Sequence, residues 1–138
     1  MNHKTMETKE TVERINRGSW HDTILEKVEF NFDYVSVLLD YNSHGSQKMF
    51  LICENFIGIS CLGHWDESVV RDIKVNKNGS LTREVLDTVI KNNGTDLMGG
   101  GIKSINDEWF ELTIEMIDNL EIKIICSKIS LLSNNQFK

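Results

Sequence analysis

The strongest constraint on the fold lies near the end of the chain, where two runs of strict alternation face each other across a turn. Phe110, Leu112, Ile114 and Met116 alternate with Trp109, Glu111, Thr113 and Glu115, and apolar positions return at Leu120, Ile122, Ile124 and Cys126. Successive side chains of an extended chain point to opposite faces, so each run reads as a half-buried strand. Asp118-Asn119 between them carries turn chemistry, and the segment is a hairpin. An earlier one repeats the pattern: Val28, Phe30 and Phe32 alternate with polar residues, Asn31 to Asp33 can turn, and Val35, Val37, Leu39 and Tyr41 alternate again.

Between the hairpins, residues 49–53 and 56–62 are nearly continuous apolar runs, the pattern of central strands covered on both faces. Gly58 inside the second predicts a bulge or a close backbone approach. Residues 68–75 read as a further strand. Helical spacing is clearest at Leu81, Val85, Leu86, Val89 and Ile90, with Ser80 as a cap, Lys91 near the end and Gly94 beyond it. A shorter helix is predicted over residues 11–16, with Val12 and Ile15 on one side, ending near Gly18.

Composition agrees with a sheet-rich reading. The chain has no proline and no alanine, so no helix rests on the best helix former, while Ile, Val and Thr supply many β-branched residues. The order of elements predicts an α+β fold: a mostly antiparallel, twisted sheet of about six strands with one main amphipathic helix, residues 81–92, packed on it. One domain over residues 11–132 is expected, with a flexible arm at 1–10 and a flexible tail at 133–138.

The 138 residues carry a net charge of −6, which argues against nucleic acid, because a phosphate backbone demands a cationic footprint. The one mild basic cluster, residues 71–77, is interrupted by Asp72 and reads as a solvated strand. No apolar run approaches the roughly 18 residues of a membrane span, and the polar start lacks the apolar region of a secretory signal. Cys53, Cys61 and Cys126 are odd in number, lack C-x-x-C spacing and lie in apolar stretches, so buried reduced thiols of a cytoplasmic protein are expected. Edge strands without proline make a homodimer by edge pairing plausible.

Trp20-His21-Asp22 and His64-Trp65-Asp66 echo each other, and with His44 they supply imidazoles and carboxylates that suit zinc or iron. Neighbours on an extended chain point to opposite faces, so no metal site is expected; Trp20, His21 and Asp22 are read as structural, with Trp20 packing at the sheet entrance. Buried thiols do not make a nucleophile, and no serine sits in G-x-S-x-G. Gly99 to Gly101 lacks the Lys-Ser/Thr ending of a P-loop and reads as a mobile loop. No catalytic residue and no cofactor is assigned. The candidate for partner binding is the outward strip of the penultimate strand, Asp107, Trp109, Glu111 and Glu115, which joins an aromatic anchor to carboxylates suited to a basic partner. The plainer reading is a solvated face with Trp109 covered by a loop.

Trp20-His21-Asp22 followed by Ile24, Val28 and Phe30, together with the closing run from Leu120 to Ile129 of the form L-x-I-x-x-x-C-x-x-I, resembles small bacterial immunity proteins of polymorphic toxin systems, among them the family numbered fifty. The resemblance covers the two ends of the chain. It implies a cytoplasmic, non-catalytic protein that neutralises a toxin by binding it, and carries over no contact residue; with the acidic strip, a basic toxin domain is the expected partner. A small-ligand-binding protein or a homo-oligomeric structural protein is the alternative.

Overall fold

In the computed structural model, which describes residues 3–41, 47–64, 67–77, 79–93, 96–97, 103–104 and 108–133, the elements follow the order α1 (His3–Arg17), β1 (Thr23–Phe30), β2 (Tyr34–Asp40), β3 (Lys48–Glu54), β4 (Gly58–Leu62), β5 (Val69–Lys77), α2 (Ser80–Asn93), β6 (Asp96–Leu97), β7 (Lys103–Ser104), β8 (Phe110–Met116), β9 (Glu121–Cys126) and β10 (Lys128–Ser133). Both alternating segments form the expected antiparallel hairpins, β1 with β2 and β8 with β9. The architecture is α+β in a single domain, and no described helix is long and apolar enough to cross a membrane.

The main sheet has eight strands, not about six, in the order β10-β3-β2-β1-β5-β8-β9-β4. Two long strand paths are each broken at a bend, and so each enters the sheet twice. Residues 55–57 bend one, with Asn55 in the left-handed region at φ 54°, and Ser127 bends the other. Pairing continues through both bends, since Ser127 N donates to Glu54 O at 3.3 Å and Ile57 N to Ile125 O at 2.8 Å. The first and seventh strands of the sheet are therefore one chain path, as are the second and eighth. The sheet curls back on itself, and Leu39, Leu51, Ile73, Leu112, Ile114 and Ile124 fill the interior without solvent contact. Each such side chain stabilises the fold by about 1.5–3 kcal/mol relative to exposure.

Three expectations are corrected by this arrangement. Residues 58–62 form a strand at the sheet's end, not its centre, and Ile59, Cys61 and Leu62 are exposed. An apolar run alone does not say which of its residues find a partner surface; here Phe56 packs on the main core and Ile57 beneath α2, while the strand that follows does not. The segment expected as a flexible arm is helical from His3. Its buried side is Thr8, Thr11 and Ile15 with Val12 half-buried, which is i, i+3, i+4, i+7 spacing written largely in threonine. Finally, the short helix predicted over residues 11–16 is the end of the 15-residue α1, as long as the 14-residue α2 expected to be the main one. The tail beyond Ser133 lies outside the described residues.

The hydroxyl-rich face of α1 suits its place against β10 and β5. Thr8 Oγ1 accepts from Ile129 N at 3.4 Å. The Asn16 carboxamide donates to Val75 O at 3.0 Å and accepts from Val75 N at 2.8 Å, satisfying both groups as a neighbouring strand would. α2 lies over the outer face of β8 and β9, its residues Leu81, Val85, Leu86 and Val89 packing with Trp109, Ile125 and Ile57. The close approach expected at Gly58 is made by this helix: a Cβ there would lie 2.7 Å from Val85 Cγ2.

One buried polar atom among the described residues, Thr23 Oγ1, has no hydrogen-bond partner. Leaving a hydroxyl unpaired in the interior costs about 1–3 kcal/mol. Thr23→Val, nearly the same shape without the hydroxyl, is expected to raise unfolding stability by about 1 kcal/mol in urea titrations; a loss of stability would show that the hydroxyl is satisfied in solution.

Candidate interaction surface

The strip expected to face outward on β8 is covered. Trp109 and Glu111 are each only 4% exposed, because α2 closes over them; as an open docking face the strip does not exist at these two positions. Asp107 lies outside the described residues. Glu111 instead serves the helix above it. Its Oε1 accepts from Thr82 N at 3.1 Å and from Thr82 Oγ1 at 3.3 Å, and Oε2 lies 3.4 Å from Lys123 Nζ. A carboxylate at the first turn of a helix pairs an otherwise orphaned N–H and meets the positive end of the helix dipole. The cap expected from Ser80 is thus supplied from across the sheet.

Glu115, four residues further along β8, is part-exposed and ion-paired with Lys74 at 2.9 Å and Arg71 at 3.5 Å. The hydrogen bond from Lys74, together with the two cations, holds its carboxyl below the ordinary value, and the same bond raises Lys74. Stability from Glu115 is therefore fully present above the ordinary carboxyl range and lost as pH falls through its lowered folded value; that from Lys74 is present below the ordinary ammonium range and lost as pH rises through its raised one. Solvent reaches Lys74, so the pair is expected to contribute about 0.5 kcal/mol. Comparing Glu115→Gln with the parent chain in urea should show that difference near neutrality, and its disappearance in strong acid; a difference independent of pH would rule out the linkage.

Trp20 lies between α1 and β1. It is buried, its indole N–H donates to Ile15 O at 2.8 Å, and its ring meets Tyr41 edge-on at 5.8 Å. His21 and Asp22 are exposed. The His21 Nδ1 lies 2.9 Å from Ser19 Oγ, and Asp22 occupies a left-handed turn at φ 69°. Of the imagined metal ligands, His44 and Asp66 lie outside the described residues, as does the glycine triplet. Among the described residues no three His, Cys, Asp or Glu side chains are grouped to hold an ion. Cys53 and Cys126 are buried in the core, whereas Cys61, expected to be buried with them, is exposed on β4. The Cys53 thiol beside it and burial push the Cys126 thiol well above the ordinary range.

What sequence reasoning missed is the tip of the first hairpin. Phe30 and Phe32 read as inward members of an alternating strand, yet Phe30 is 59% and Phe32 95% exposed. Val28 still packs against the core, but β1 ends at Phe30 and Phe32 stands in the turn. That turn is held: Asn31 N donates to Tyr34 O at 2.8 Å, and Asn55 N to Asp33 O at 3.1 Å. Glu29 and Asp33 flank the two rings in the chain, with Lys27 3.7 Å from Glu29, while Glu54 stands between Tyr34 on one side and Lys128 on the other. The signal available in the sequence was the turn itself, since Asn31 to Asp33 leaves Phe32 no strand to belong to. Elsewhere, a shallow groove of about 180 Å³ runs between α2 and β4, lined by Ser60, Leu62, Ser80, Leu81, Glu84 and Lys123; typical small-molecule pockets are larger, about 300–1,000 Å³.

An aromatic pair on a braced turn, with Glu29 and Asp33 flanking it in the chain, has the chemistry of an anchor for an apolar pocket with basic residues at its rim. No protein-family model, no curated protein and no solved structure matches the chain.

Proposed function

We propose that the chain is a non-catalytic, cytoplasmic binding protein of the immunity type, which neutralises a toxin by occupying it, and that the β1–β2 tip is the part that makes contact. The observation that carries this reading is the pair Phe30 and Phe32, exposed where a folded chain gains nothing from them. Large exposed aromatics are costly to solubility and are enriched where interfaces concentrate their energy. The carboxylates beside them and the net charge of −6 favour a basic partner and speed its approach.

The test is co-expression with the toxin domain encoded beside this chain's gene. Protection of the host and a purified complex are expected. Phe30→Ala with Phe32→Ala should leave folding intact and weaken that complex by about a hundredfold, from two anchors of roughly 1.4 kcal/mol each or more. A neighbouring gene with no toxic product, or a complex indifferent to both phenylalanines, would sink the respective half of the proposal.

A further inference from the structure

The sheet treats its unpaired edges unequally. Along β10, α1 lies against the open side and Thr8 Oγ1 accepts from Ile129 N. Where β5 runs past β1, Asn16 takes both backbone groups of Val75. The free half of β1 carries a register shift at Glu26 and the charges of Glu26, Lys27 and Glu29. Each is a recognised means of blunting an edge: cover, local capping, a bulge, charge. Among the described residues, β4, Gly58-Ile59-Ser60-Cys61-Leu62, meets none of them. Its five residues are uncharged, its register with β9 is unbroken from Gly58↔Ile125 to Leu62↔Glu121, and its Leu62 is 72% exposed.

Which backbone groups are free on β4 follows from the neighbouring ladder. Met116 N donates to Leu120 O, so Leu120, Ile122 and Ile124 turn their backbone groups to β8, and Glu121, Lys123 and Ile125 turn theirs to β4. The β4 residues opposite these, Gly58, Ser60 and Leu62, are consumed by β9. Ile59 and Cys61 are left with N–H and C=O pointing away from the sheet. These two residues are symmetric about Ser60. An antiparallel copy of the same strand, placed across a twofold axis at Ser60, pairs Ile59 with the second copy's Cys61 and the reverse, and satisfies every one of those groups. The side chains match as well. Ile59 and Cys61, which alternate towards the inner face yet are exposed, meet each other, and Leu62 falls opposite a glycine.

We propose that β4 is a self-association strand: two copies of this chain pair antiparallel through residues 58–62, centred on Ser60, and join their sheets edge to edge. Self-complementarity selects a second copy over a peptide of other sequence. No charge in the strand opposes its own image, and both the backbone groups and the residue sizes map onto themselves. This site is separate from the β1–β2 tip and does not depend on the function proposed for it.

Sedimentation of the purified chain over a wide concentration range is expected to show a reversible monomer–dimer equilibrium. Ile59→Lys and Leu62→Lys, which place a charge at the seam, should each weaken the dimer at least about tenfold while circular dichroism stays that of the parent. Register is read separately. In Ser60→Cys with Cys61→Ser, the twofold brings the two position-60 residues into a non-hydrogen-bonded pair about 4.5 Å apart between Cα atoms, within disulfide range, so mild oxidation should yield a covalent dimer. A chain that stays monomeric at high micromolar concentration, a dimer unaffected by either lysine, or failure of the position-60 crosslink overturns the proposal. Losing only the hairpin-tip function in Phe30→Ala with Phe32→Ala leaves it standing.

Discussion

Trp20→Ala is expected to be the most damaging single change on the inner side of the molecule, lowering unfolding stability by about 4 kcal/mol. Truncating a buried tryptophan opens a large cavity, and here it also removes one of the two donors to the Ile15 carbonyl, which accepts the indole N–H at 2.8 Å and Gly18 N at 3.2 Å as α1 ends. Gly18 still satisfies that carbonyl, so the lost hydrogen bond itself adds about 1 kcal/mol and no unpaired acceptor is left behind. Trp20→Phe separates the two parts. It keeps most of the volume and an edge for Tyr41 but not the N–H, so a loss of about 1–2 kcal/mol is expected. Urea unfolding followed through the remaining tryptophans gives both numbers. Equal losses in the two variants would mean that packing contributes little and the hydrogen bond nearly everything.

The second large effect is expected at Glu111. Glu111→Ala removes the acceptor of Thr82 N–H, leaves Lys123 without its carboxylate and empties space beneath α2. Removing one member of a buried ion pair costs about 3–5 kcal/mol. The Lys123 side chain is 28% exposed, and solvent partly rescues it, so about 3 kcal/mol is the expected loss. Glu111→Gln keeps an oxygen for Thr82 and should cost about 1 kcal/mol. Hydrogen exchange locates the damage: in Glu111→Ala the amides of the first turn of α2 should lose protection well before those of β8. Uniform loss across the sheet would mean that the carboxylate supports the core and not the helix. Gly79 belongs to the same arrangement, because a methyl group there would overlap the Glu111 carboxylate.

These two residues mark what could be read from the chain and what could not. The hairpins were legible because burial on one face writes a period of two into Phe110 to Met116 and into Val35 to Leu39, and no other structure satisfies that period. The main helix was legible for the same reason at a period near 3.6. Glu111 sits within a perfect alternation, and its outward side chain reads as solvated; only the arrival of Thr82 on α2, 29 residues upstream, makes it a cap, and no local pattern encodes that arrival. Helix α1 was half-read because its buried stripe uses Thr8 and Thr11, which an apolar count passes over. The run through Gly58 to Leu62 misled in the opposite sense: it is apolar enough for a central strand, but neighbours are assigned by topology. The tip at Phe30 and Phe32 was missed because alternation was followed two residues past the point where the strand ends.

The two bent paths carry a consequence for the order in which the molecule forms. The β1–β2 and β8–β9 hairpins close over short loops, but the ladder that shuts the sheet joins β3 to β10, with Cys53 opposite Ile129. Contacts of that sequence separation are slow, since the entropy of closing a long loop must be met before any of the contacts reward it. During synthesis the first four strands and α1 have no lid until residues 121–133 emerge, and the apolar faces of β2 and β3 wait exposed for most of the chain's translation. Chaperone dependence of freshly made chains, falling away once β10 is complete, is the physiological trace such a topology should leave.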